Sequence, residues 1–202
     1  MSIIWKTFSH KKVTLIIGIT FFIVGALIGV FVFSNKGLSQ EFISTRNDAA
    51  LVSQEIVNLT DQTDKALEDV NKLDIQGKKE QALGLIENAR KTNNDAYQKA
   101  FQLSGHLKSL TESLQSISNG ESQRIAYEAI ATELALVSEF IIYTKNVNQF
   151  LDELSSAISQ NTSVNRQAAQ SVLDKANAEA KKINALNTQF LQKMGEFDAS
   201  IR

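Results

Sequence analysis

The sequence predicts an all-α protein: an N-terminal transmembrane helix followed by an elongated, coiled-coil-like, antiparallel up-down-up-down four-helix bundle. Three observations carry that expectation. Val13 to Phe33 is an uncharged run of 21 residues. Beyond it, apolar residues recur in alternating steps of three and four through four stretches of similar length. Proline, which breaks helices by clashing with the preceding turn and removing a donor, is absent from all 202 residues.

Taken in order, residues 1–12 form a short basic tail and residues 13–33 the membrane helix. At about 1.5 Å per residue the run covers roughly the 30 Å hydrocarbon core of a bilayer. A cleavable export signal has a shorter apolar stretch of about 7–15 residues, so this segment is expected to stay as an anchor in the lipid bilayer. Lys6, Lys11 and Lys12 precede it without an acid among them, whereas Lys36 and Arg46 alternate with Glu41 and Asp48 after it. That bias predicts a cytoplasmic N-terminus and an extracytoplasmic bundle over residues 38–202. Gly25 and Gly29 form a GxxxG pair with Gly18 one heptad earlier. The resulting smooth face suits dimerisation with a second copy of the anchor.

The first bundle helix, about 38–74, carries Phe42, Thr45, Ala49, Val52, Ile56, Leu59, Thr63, Ala66, Val70 and Leu73 on one seam. "DIQGKK" interrupts it. The second, about 78–118, repeats the rhythm from Ala82 and Ile86 through Asn93 to Leu114 and Ile117. Its start, "GKKEQALGLIENA", resembles the second helix of a tetratricopeptide repeat, with Ala82, Ile86 and Ala89 at the small-large-small positions. No partner repeat lies about 34 residues away, so the stretch is read as bundle helix. "SNGES" then supplies a glycine stop and a serine cap. The third helix, about 122–159, has its seam from Ala126 and Ile130 through Glu133 and Thr144 to Ile158. Its apolar stretch is long, but Glu128, Glu133 and Glu139 would each cost about 3 kcal/mol at a bilayer centre, so it too belongs to the bundle. The fourth, about 163–201, follows Val172, Ala176, Ile183, Leu186, Phe190, Met194, Phe197 and Ile201, with a slip near Phe190 to Met194.

Composition excludes several functions. Cysteine is absent, which removes disulfides and thiolate chemistry. The two histidines, His10 and His106, have no second ligand at metal spacing. From Leu38 onward 17 Lys and Arg face 22 Asp and Glu, and scattered bases with a net acidic charge offer nucleic acid no footprint. Phosphate loops and nucleophile elbows are missing. No catalytic residue, cofactor or metal is therefore expected.

The polar residues inside the seams are the candidate sites. In an antiparallel first hairpin Thr63 falls opposite Asn93, and Thr45 falls near Glu133 of the third helix. These pairs predict two buried polar layers, which fix register or line a ligand pocket. On the third helix Leu136, Tyr143 and Phe150 widen the apolar stripe, marking either deep burial or a surface for a protein partner.

The expected function is non-enzymatic: scaffolding, tethering or partner binding at the cell envelope. The layout resembles the external sensor bundle of bacterial chemoreceptors, which a first membrane helix also anchors. That resemblance implies ligand sensing as the alternative. A chemoreceptor's fourth helix continues through the membrane, whereas this chain stops at Ile201-Arg202, so sensing would need a separate membrane partner.

Overall fold

The computed structural model describes residues 38–160 and 163–201. The expected tail and anchor, with Gly18, Gly25 and Gly29, lie outside the described residues, as do Asn161 and Thr162 of the third turn. Among the described residues no helix is long and apolar enough to cross a membrane. The described chain is all-helical: α1 (Gln40–Ile75), α2 (Lys79–Ser113), α3 (Gly120–Gln160) and α4 (Ser163–Ser200), with a 3-10 turn at Leu114–Ser116.

Each described break has a local cause. Ser39 caps α1 by accepting the Phe42 amide at 3.2 Å. At the other end Gly77 takes φ +73°, a conformation that costs a glycine little. There the Lys78 amide donates to the Leu73 carbonyl and the Gly77 amide to the Asp74 carbonyl, each at 2.9 Å, which closes α1 as a Schellman motif. The second break departs from the sequence reading. Gly120 opens α3 instead of ending a helix, because the Asn119 side chain accepts the Glu121 and Ser122 amides at 3.0 and 3.3 Å. The cap is thus an asparagine and not a serine, and α3 starts two residues earlier than expected.

Cross-helix bonds set an antiparallel register throughout. Lys99 pairs with Glu55 between α2 and α1, and Arg90 with Asp152 between α2 and α3 at 2.6 Å. Lys182 and Lys193 of α4 reach Glu139 and Glu128 of α3 at 3.5 and 2.8 Å. Arg46 with Asp198 (3.3 Å) and Asp74 with Arg166 (3.6 Å) close the ring between α1 and α4. The helix spacing is uneven. The α1–α2 and α3–α4 hairpins are close-packed and α2–α3 less so, while the α1 and α4 backbones stand furthest apart of the four neighbouring pairs.

The core follows the seams of α2 and α3 completely, since every apolar and polar seam position on them is buried. On α1 the fit is partial: Thr45, Leu59, Ala66 and Leu73 are half-buried. Leu136, Tyr143 and Phe150 are buried in the bundle. The idea of a partner surface on that flank is therefore corrected: α3 is flanked by packed helices there, and the residues are core. On α4, Ala169, Leu173, Ala180 and Asn187 join the core, whereas Leu186 and Met194 are only half-buried.

One end of the bundle gathers the start of α1, the α2–α3 turn and the end of α4. Ser116 Oγ donates to Ser39 Oγ at 3.1 Å, and Ser122 Oγ to the Ser200 carbonyl at 3.1 Å. This end carries the connection to the N-terminal segment.

Candidate functional site

The polar residues of the core do not form the two layers expected from spacing. Thr63 is buried, but its hydroxyl donates to the Leu59 carbonyl of its own helix at 3.0 Å and so does not pair with Asn93. Asn93 instead looks to α3, where its Nδ2 donates to the Thr144 carbonyl at 2.8 Å and to Asn148 Oδ1 at 2.9 Å. Asn148 in turn donates to Asn94 at 2.6 Å. These bonds lock α2 against α3. Asn93→Ala removes the donors and leaves the Thr144 carbonyl without this partner; urea denaturation is expected to read a loss of about 1–3 kcal/mol.

Thr45 is half-buried and does not line the cavities at Glu133. The neighbouring Arg46 does. Its guanidinium bonds Asp198 at 3.3 Å and lies 5.9 Å from the Phe197 ring centroid, where it also acts on the buried Glu133 of α3. Burial pushes the Glu133 carboxyl up to about 7, with Arg46 pulling the other way. Burial lowers the Arg46 pKa too, against the attraction of Asp198 and Glu133.

Two small cavities meet at Glu133. One, of about 40 Å³, lies between Phe42, Arg46 and Ala49 of α1 and Phe190, Met194 and Phe197 of α4, floored by α3. The other, of about 20 Å³, brings Ser53 of α1 and Asn187 of α4 to the opposite side of the same glutamate. A water needs about 10–15 Å³ by this measure, so these spaces suit one or a few waters among polar partners.

Further from the α2–α3 turn a second buried carboxyl appears. Asp64 of α1 is only 3% exposed, and burial, then Asp61 and Glu68, push its pKa up to about 8. It acts on the Tyr143 hydroxyl of α3, whose pKa burial and this neighbour raise well above its usual value. In the register set by Asp74 and Arg166, Asp64 stands level with the turn of α4 that carries Asn177.

Sequence reasoning missed Arg46, Ser53, Asp64 and Asn187, although a signal existed. Arg46, Ser53, Thr60, Leu67 and Asp74 repeat every seven residues, and four of the five are polar. A polar heptad row beside an apolar seam marks a second, more polar neighbour.

Among the described residues no group of three or more His, Cys, Asp and Glu is placed to hold a metal ion. His106 is half-buried on α2. Among the described residues the exposed large apolar side chains are Leu51 and Ile75 on α1, Phe101 on α2, Val164 on α4, and Tyr127, Leu134 and Ile142 on α3, the last three at seven- and eight-residue spacing along one face. Neither a protein-family model, a curated protein nor a solved structure matches the chain.

Proposed function

We propose that this chain is a single-pass membrane protein whose bundle acts as a non-enzymatic scaffold, tether or partner-binding module on the extracytoplasmic side of the cell envelope. One observation carries the reading: the 21-residue uncharged run ends six residues before Ser39, at the end of the bundle where α1 begins and α4 finishes. A bundle joined end-on would stand off the bilayer as a rod of roughly 55 Å. Its partners would be the lipid bilayer through residues 13–33, a protein at the bundle, and a second copy through Gly18, Gly25 and Gly29.

The alternative, ligand sensing through a separate membrane partner, draws on the cavities at Glu133. At the Glu133 cavities magnitude speaks against a small-molecule site. Spaces of about 20 and 40 Å³ are far below the roughly 300–1,000 Å³ of small-molecule sites.

Protease treatment of intact cells carrying a C-terminal tag tests the topology. The full-length chain is expected in membranes, with its tag digested from outside once any outer layer is permeabilised. A tag that survives permeabilisation would place the bundle in the cytoplasm, and a shortened, released chain would make the segment an export signal. Either result removes the anchored envelope scaffold.

A further inference from the structure

The interface between α1 and α4 carries ion pairs like the other three, but it differs from them in its spacing and in its unsatisfied polar groups. Its backbones are the furthest apart. Both cavities at Glu133 take walls from these two helices. Among the described residues, the buried oxygens without a hydrogen-bond partner in the protein are Ser53 Oγ, Asp64 Oδ2, Asn71 Oδ1 and Asn177 Oδ1, all on α1 or α4. By heptad position all four fall on the sides of α1 and α4 that face each other.

We propose that the bundle opens along this seam: the α1–α2 and α3–α4 hairpins part as two units, hinged on the α2–α3 side, and water reaches the polar rows of α1 and α4. Opening here sacrifices less than anywhere else. A wide interface forfeits little dispersion contact when it separates, and its orphaned oxygens gain the hydrogen bonds they lack when closed. The hinge side is suited to persist, because Asn93, Asn94, Asn148, Arg90 and Asp152 bond across it. Arg46 with Asp198 and Asp74 with Arg166 act as clasps near the two ends of the seam. Low-stability openings of this kind are confined to elements with few close contacts.

The absence of cysteine allows a direct test in the full chain, in detergent or native membrane. Single variants Ser53→Cys and Ala180→Cys place a thiol on either side of the seam, at positions 2% and 1% exposed. Ala89→Cys and Val172→Cys place one inside each hairpin, at 1% and 4%. With each variant shown to melt cooperatively, the seam thiols are expected to react with a maleimide about tenfold faster or more than the hairpin thiols, at rates that mild urea leaves unchanged. A single rate shared by all four, rising with urea as the whole bundle unfolds, overturns the proposal. Faster reaction at Ala89→Cys or Val172→Cys also overturns it, by placing the opening within a hairpin.

Discussion

Raising the pH from about 5 to about 9 is expected to lower the melting temperature of the bundle, and Asp64→Asn to abolish most of that loss. The sign follows from where the proton resides. Asp64 in the folded protein has its pKa pushed up to about 8, from an ordinary value of 3.8. Below about pH 4 the carboxyl is protonated folded or unfolded and costs nothing. Between the two values the folded state holds a proton that the unfolded chain releases, so stability falls by about 1.4 kcal/mol for each pH unit. Above about pH 8 the carboxyl is ionised folded or unfolded and the loss is complete, at up to about 6 kcal/mol. Glu133, raised to about 7, adds a smaller loss of the same sign that is complete one unit earlier.

The charges facing these groups do not reverse the trend. Asp61 and Glu68 beside Asp64 make its ionisation harder, and on α3 it acts on the Tyr143 hydroxyl. Arg46 of α1 eases the ionisation of Glu133, but Asp198 of α4 shares that guanidinium. The surface carboxylates Glu121, Glu128 and Glu196 have their pKa values lowered by hydrogen bonds to Arg124 and Lys193. They favour the folded state above the ordinary carboxylate range and lose that effect in acid, so the optimum lies at mildly acidic pH. Asp64→Asn keeps the shape and removes the titration. Nearly equal melting at about pH 4 and an advantage for the variant that grows steadily toward pH 9 are the expected results; parallel decline in both proteins would mean that Asp64 ionises without cost.

Phe197→Ala has the second large effect. The ring is fully buried, sits 6.1 Å from the Phe42 ring and supports the Arg46 guanidinium. Truncation removes the apolar transfer term and enlarges a cavity that already exists beside it, for a loss of about 3–5 kcal/mol, with about 0.5–1 kcal/mol more from the cation–π contact. Phe101→Ala is the control. That ring is 50% exposed and meets Tyr97 edge-on at 4.9 Å, so about 1 kcal/mol is expected. Urea denaturation of the two variants reads the contrast, and equal losses would mean that the α1–α4 end contributes no more than a surface pair.

The sequence by itself determined four helices, the positions of their breaks and the buried faces of α2 and α3. Apolar residues at three-and-four spacing report the face a helix turns inward, and on α2 and α3 one stripe is enough because close neighbours cover it from both sides. Glu133, Asn93 and Thr144 could be read as buried for the same reason: they occupy positions the period assigns to the core. Capping was less legible, since "SNGES" offers several residues able to cap and only the backbone path chose Asn119.

What only the tertiary structure decided is which of those residues meet. Periodicity gives no rotation of one helix against another, and so it did not show that Asn93 bonds to α3 and not to Thr63, or that Arg46 and not Thr45 acts on Glu133. The uneven spacing was equally hidden. Small residues such as Ala82, Ala89, Ala96 and Ala100 suit the close approach of α2 to α1, whereas the larger Phe42, Arg46 and Phe197 stand between α1 and α4. A bundle of four helices cannot be equally tight on all sides when the volumes along its seams differ. The widest side fell where the polar rows of α1 and α4 face each other, and it is there that the buried oxygens and the cavities collect.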